Sequence, residues 1–395
     1  MRVKFVLPLL IPAFLSIAKA SSFDIHSKNP QDRILAIFYL SKSKNPSIIP
    51  RFCKVLLSDK NKEVRKAAAD VLGYYGNSTQ SESCLLKAFG QEESTEVKYS
   101  ILSALETFKK RKIGKLYCKV LEGNYSVSLK REALKGLSNY LFCREEIENI
   151  LKNKSREFLT DALFAVSLRK DNFPSVKAYL SDSDVEVRKL ALKYFVSHKP
   201  DKDVISTIKK RLIIEHDPEN KALMLEILLS NDAKIDENLL LSSISNGDVA
   251  KKFVLRLPFI RKNKFPFKGI KLLLKNENPF VVSSTLTYLG TTEDKKYCSI
   301  LLSYLMEDGN ETVRNSAIWS VSKLNCSNAF DYLASIISDF NNDDRLRLMA
   351  ARSFLSFDDS TLKEKSGVLK SLYESEILDD VKEVLGRVIK ESKER

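Results

Sequence analysis

The run Ser58-Asp59-Lys60-Asn61-Lys62-Glu63-Val64-Arg65-Lys66-Ala67-Ala68-Ala69-Asp70-Val71-Leu72-Gly73 opens on a polar turn and continues as an amphipathic helix. Val64, Ala67, Ala68, Val71 and Leu72 recur three and four positions apart, the spacing that lines one face of an α-helix. Asp59 and Asn61 lie in the turn that precedes this helix.

The same arrangement returns along the chain. Asp182 through Glu186 leads into Val187-Arg188-Lys189-Leu190-Ala191-Leu192, and Asp308 through Thr312 leads into Val313-Arg314-Asn315-Ser316-Ala317-Ile318. With the residue before the basic one as anchor, copies fall at Asp32, Val64, Val97, Leu129, Ser155, Val187, Asn220, Val249, Val281, Val313, Leu346 and Val381. Most intervals are 32 or 33 residues; Leu129 to Ser155 is 26, which leaves room for only short helices near Cys143. The basic residue is replaced by Ala250 and Val282 in two copies. Ahead of each anchor lies a second apolar stripe, such as Ile49-Phe52-Leu56 or Phe330-Leu333-Ile336-Ile337. Each unit therefore reads as two antiparallel helices. A hairpin of this size cannot bury its own apolar face, so neighbours must stack and share a core. The expected fold is all-α, an α-α superhelix or solenoid of about twelve helical-hairpin repeats.

Composition agrees with a folded helical chain: hydrophobic residues are 44%, charged residues 29%, and there are only 12 Gly and 11 Pro in 395 residues. The first twenty residues differ from the rest. Met1-Arg2-Val3-Lys4 precedes an apolar run from Phe5 to Ile17 and then Ala18-Lys19-Ala20, the basic, apolar and small-residue parts of a secretory signal. The run is broken by Pro8 and Pro12 and is too short to span a bilayer. The expected organisation is a signal peptide over 1–20 and a repeat solenoid over 21–395. The mature chain is expected to be exported, soluble, and periplasmic or extracellular. Cleavage after Ala20 removes Arg2, Lys4 and Lys19 from a formal charge of +14, so the mature chain stays basic. Such a balance favours anionic partners or surfaces.

Little in the chain carries catalytic chemistry. His26, His198 and His216 lie far apart and form no His-Glu-x-x-His arrangement. Glu215-His216-Asp217 occupies the turn position of its repeat, with Asp217 placed to cap a helix that starts at Pro218. There is no Gly-x-Ser-x-Gly, phosphate-binding loop or dinucleotide fingerprint. No catalytic residue, metal, cofactor or small-molecule substrate is expected. Six cysteines form no Cys-x-x-Cys pair, so spacing gives no zinc or thioredoxin-like signature. In an oxidising space disulfides are permitted. Cys298 near the start of one helix and Cys326 just past the end of its antiparallel partner form the one pair that hairpin geometry favours.

Two segments concentrate positive charge. Arg256, Arg261, Lys262, Lys264, Lys268 and Lys271 have no acidic residue among them in sequence, and Pro258 and Pro266 interrupt any helix there, so this segment is the candidate contact for an anion or partner. Lys109, Lys110, Arg111 and Lys112, in the loop between repeats, are a weaker candidate.

The Asp-x-x-x-x-Val-Arg-x-x-Ala-x-x-x-Leu pattern, met fully from Asp59 to Leu72 and partly elsewhere, resembles the HEAT-repeat family, in particular the short bacterial repeats of phycobilisome lyase-like proteins. The resemblance implies a HEAT/armadillo-type solenoid whose second helices line one side. It also implies a structural ladder built from the turn acid and the basic residue: Asp59 with Arg65, Asp182 with Arg188, Asp308 with Arg314. The function it best fits is a non-catalytic scaffold for protein-protein contact, or for an anionic polymer or membrane surface. Two alternatives come from the same family: a lyase-like enzyme, and a nucleic-acid-binding protein, which the charge favours and the signal peptide opposes.

Overall fold

The computed structural model describes residues 24–153, 156–260, 265–307 and 309–394. The proposed signal peptide lies outside them. Every regular element among the described residues is helical.

The anchors govern where helices begin. Apart from Ser155, each is the third residue of a helix, as in Pro30–Ser41, Lys62–Gly73, Thr95–Leu105, Val185–Ser197, Pro218–Ser230 and Glu311–Lys323. The residue three before the anchor is the cap. The side chains of Asn61, Asp184, Asp217, Asn246 and Asn310 each accept a hydrogen bond from an amide in the first turn. The turn residues recur because each helix start leaves amides that need an acceptor.

Ser155 is the exception, and it lies outside the described residues. The helix of that repeat runs Leu159–Ser167, so its third residue is Asp161 and the interval from Leu129 returns to the common length. The shortening falls one repeat later. Between Leu159–Ser167 and Val185–Ser197 the first helix of the hairpin is replaced by a 3-10 helix, Pro174–Ser181. The short helix expected near Cys143 is present as Arg144–Lys152.

The chain divides into two compact units, one ending at Val176 and one beginning at Lys177, inside that 3-10 segment. In each unit the helices form two layers. In the N-terminal unit the second helices Pro30–Ser41, Lys62–Gly73, Thr95–Leu105, Val127–Leu137 and Leu159–Ser167 touch in succession, and the first helices Ile49–Ser58 and Thr79–Gln91 touch beside them. In the C-terminal unit the second helices from Val185–Ser197 to Asp379–Glu394 do the same.

The core runs between the layers. Val64, Ala67, Ala68, Val71 and Leu72 are buried, as are Ile49, Phe52 and Leu56 facing them, and Phe330, Leu333, Ile336 and Ile337 in the other unit. At about 25 cal/mol per Å² of apolar surface removed from water, this shared stripe is the main stabilising term for hairpins that could not fold alone. Small residues set how closely second helices approach. A Cβ on Gly290 would lie 2.8 Å from the Ser320 Cα of the next repeat.

Candidate interaction surface

Guanidinium groups, buried at Arg188 and Arg347 and partly buried at Arg33 and Arg65, tie consecutive repeats together. Arg33 grips Asp59 with two bonds of 2.8 Å, Arg65 grips Glu92 at 2.8 and 2.9 Å, and Arg188 grips Glu215 at 2.7 and 2.8 Å. Arg347 Nη2 donates to both oxygens of Glu376, at 2.7 and 2.8 Å. In every case the arginine follows one anchor and the acid stands five residues before the next.

The ladder therefore differs from the pairing expected within a turn. Arg65 and Arg188 do reach Asp59 and Asp182, but at their backbone carbonyl oxygens, each at 2.8 Å. The first helical turn lays the guanidinium across the turn, so one edge meets carbonyls and the other faces the next repeat. Asp59 gives its carboxylate to Arg33 of the preceding repeat. Asp308 lies outside the described residues. Asn341 stands where the next repeat would supply the acid for Arg314, and the Arg314 Nε is buried without a hydrogen-bond partner among the described residues.

The Glu215-His216-Asp217 cluster is part of this ladder. Asp217 caps the helix from Pro218. Burial pushes the Glu215 carboxyl up, but the Arg188 guanidinium and the amides of His216 and Asp217 outweigh it and hold it at about 2. Glu92 is likewise lowered by Arg65 against the opposing effect of burial.

The basic segments are less free than their local sequence implies. Arg261, Lys262 and Lys264 lie outside the described residues. Arg256 reaches back to Glu219 at 3.5 Å and Glu226 at 3.4 Å, Lys268 to Glu237 at 2.9 Å, and the Lys271 ammonium lies 4.8 Å from the centre of the Phe267 ring. Lys110 and Lys112 approach the buried Glu82 at 3.8 and 3.2 Å, and Arg111 lies over Phe142. Lys109 takes a left-handed conformation before the helix Arg111–Glu122, whose first turn contains Arg111 and Lys112. The acids missing from each segment come from the repeat before it, a distance local sequence cannot show.

Among the described residues, the Pro258 interruption exposes an apolar ring. A short 3-10 turn, Leu257–Phe259, buries Leu257 and leaves Phe259 69% exposed. Phe259 borders a cleft of about 280 Å³ with Phe195, Val196, Ile227 and Ser230 from the second helices Val185–Ser197 and Pro218–Ser230, and with Asn231 just past the latter. Glu226 also lines it, its carboxyl raised by burial and only partly lowered by Arg256. The combination is an apolar notch with one buried acceptor, a form suited to a side chain from another protein.

A larger cleft, about 630 Å³, lies beside the first repeat, between residues 25–33 and the helix Ile49–Ser58. Its one carboxylate, Asp59, is held by Arg33. The exposed cations Lys28, Arg51, Lys54 and Lys60 have no acidic partner among the described residues.

All six cysteines are paired. Cys298 is bonded to Cys326 with Cα atoms 5.6 Å apart. Two further bonds, Cys53 to Cys84 and Cys118 to Cys143, have Cα separations of 5.8 and 5.6 Å. Sequence reasoning missed these because they join consecutive repeats, Cys53 to Cys84 between two first helices and Cys118 to the residue that precedes the next first helix, rather than two ends of a hairpin. Their separations of 31 and 25 residues, close to one repeat, are the signal that could have found them.

Comparison with known proteins agrees with this architecture. A family model described as HEAT repeats matches residues 23–106. No curated protein matches the sequence. Among solved structures, Kap95p, from work on its binding to RanGDP, is similar at 14% identity over 92% of this chain and 60% of that one, with a TM-score of 0.55. Yeast importin-beta (Kap95p) is 13% identical over 93% of this chain and 55% of that one, with a TM-score of 0.47. The chain thus spans no more than about 60% of the length of these structures. At such identity the likeness speaks for fold alone. The HEAT repeats matched over residues 23–106 and the 0.55 TM-score likeness to Kap95p agree with the fold described above, a HEAT-type array of helical hairpins.

Proposed function

We propose that this chain is an exported, non-catalytic scaffold on which another protein docks, and that the notch beside Phe259 is a principal contact. The observation that carries the reading is the exposure of Phe259 over a cleft walled by Phe195, Val196 and Ile227. Water must be ordered around that ring in the free protein, and a partner side chain that covers it removes the cost. Kap95p, the similar structure, is described as binding RanGDP, which supports protein contact as a use of the fold. Export draws on the three-part segment over 1–20 and on three cysteine pairs, which persist in oxidising compartments.

The test is affinity capture of the mature protein from its own envelope or secreted fraction, beside a variant carrying Phe259→Ala and Val196→Asp. Both side chains are exposed, so the melting temperature should not change. A protein retained by the unaltered chain and lost from the variant supports the reading, and equal retention contradicts it. The mature N-terminus should be Ser21.

A second reading has its own support. The cleft lined by Lys28, Arg51, Lys54 and Lys60, cations without an acidic partner among the described residues, fits an anionic polymer or surface. Binding of a sulfated polysaccharide that falls with rising salt and is lost in Arg51→Ser with Lys54→Ser would establish it.

A further inference from the structure

The Cys118 and Cys143 pair differs from the other two in what surrounds it. Cys118 and Glu122 lie four residues apart on the helix Arg111–Glu122 and so share a face. Cys143 precedes the helix Arg144–Lys152 of the next repeat and Glu146 lies in its first turn. The two short pairs meet. One donor atom from each of Cys118, Glu122, Cys143 and Glu146 lies within 4.8 Å of all the others. Glu122 Oε1 is 3.1 Å from Cys118 Sγ and 3.9 Å from Cys143 Sγ. Neither Glu122 nor Glu146 has a cationic partner among the described residues, although lysines and arginines outnumber acids in the chain by 65 to 51.

A disulfide gives no reason for this arrangement. Its sulfurs carry no proton to donate, so two carboxylates beside it gain nothing from the contact. Two thiolates and two carboxylates, by contrast, offer four donors of types that zinc accepts, with zinc to sulfur about 2.3 Å and zinc to oxygen about 2.0–2.2 Å. Such bond lengths place donors roughly 3.3–3.8 Å apart in a tetrahedron, so the carboxylates need only a small contraction around the ion once the sulfurs separate.

We propose that reduction of the Cys118 to Cys143 disulfide creates a zinc site of two cysteines and two glutamates, joining the same two repeats that the disulfide joins. The two states exclude each other. A phosphine reductant takes the oxygen of one water to become phosphine oxide, the sulfur-sulfur bond breaks, and both sulfurs leave as thiols. Zinc then displaces both thiol protons and binds the two thiolates and two carboxylates. Glu122 is exposed and Cys118 and Glu146 are partly so, which leaves the ion an entry path. No Cys-x-x-Cys marks the site because its ligands come from two helices one repeat apart.

Cobalt(II) is the probe, since thiolate ligation gives it a charge-transfer absorption that carboxylates alone do not. The full mature chain, reduced with a phosphine and kept anaerobic, should take up one equivalent with that absorption, and zinc should displace it. The oxidised chain should show none. Cys118→Ser with Cys143→Ser should abolish the absorption, while Cys53→Ser with Cys84→Ser and Cys298→Ser with Cys326→Ser should keep it. Glu122→Gln with Glu146→Gln, a change at surface carboxylates that leaves all cysteines in place, should weaken cobalt binding roughly tenfold or more. Absence of the absorption in the reduced, helical chain overturns the proposal. So does its survival without Cys118 and Cys143, or unchanged affinity in the double glutamine variant.

Discussion

Arg188 and Glu215, 27 residues apart, meet through two parallel hydrogen bonds of 2.7 and 2.8 Å in the interior between consecutive repeats. The guanidinium also donates to the carbonyls of Asp182 and Ser183, while the carboxylate accepts from the amides of His216 and Asp217. The pair thus satisfies two turns at once. Glu215→Gln keeps an acceptor for those amides but leaves the buried Arg188 charge unpaired, and should cost about 3–5 kcal/mol. Repeat arrays can unfold in parts, so hydrogen exchange of Val185–Ser197 and Pro218–Ser230 is the suitable readout. Protection should fall in both helices.

Acid should weaken the same joint. The Glu215 carboxyl is held at about 2 in the folded chain against an ordinary value of 4.5, so its contribution is complete above about pH 4.5 and is lost as pH falls through about 2. Glu92 shifts in the same direction. A pH series of urea midpoints should decline across that window, and Glu215→Gln should make the decline shallower.

The ladder also shows what local sequence carries. The anchors placed helix starts well because a cap and an apolar stripe are contained in a few residues, as at Asn61 with Val64, Ala68 and Val71. At Ser155 a serine before an arginine imitated the pattern, while the stripe Leu159, Ala162, Leu163 and Val166 a few positions on was the better signal. Partners of Arg33, Arg65 and Arg256 stand about one repeat away, so they emerge only when copies are aligned by anchor. The exposure of Phe259 depends on how the chain turns at Pro258, which no periodicity encodes.

Peptide mapping of the exported protein under non-reducing conditions should recover Cys53 with Cys84, Cys118 with Cys143, and Cys298 with Cys326. Each closes a loop of 25–31 residues and should contribute about 3.5 kcal/mol in the chain-entropy description. Reduction should therefore lower the melting temperature without abolishing helical structure, since the core is apolar.

Two glycines should respond in opposite directions. On Gly290 a methyl group would strike the Ser320 backbone, so Gly290→Ala should destabilise the C-terminal unit by about 1–3 kcal/mol. Gly90 lies exposed in the helix Thr79–Gln91 with nothing within 4 Å of the added carbon. Gly90→Ala should stabilise by about 0.5–1 kcal/mol through helix propensity and a less mobile unfolded chain. Thermal unfolding of the two variants gives the comparison.

The most direct measurement of the docking reading places a photo-crosslinking amino acid at residue 259 in cells that make and export the chain. Ring exposure and the walls formed by Val196 and Ile227 put such a group at the mouth of the notch. Irradiation should yield one discrete protein adduct, which disappears when Val196→Asp is added and is absent when the crosslinker replaces Tyr39, an exposed aromatic of the first repeat. No adduct at residue 259, or the same adducts at residues 259 and 39, would contradict a partner seated on this surface.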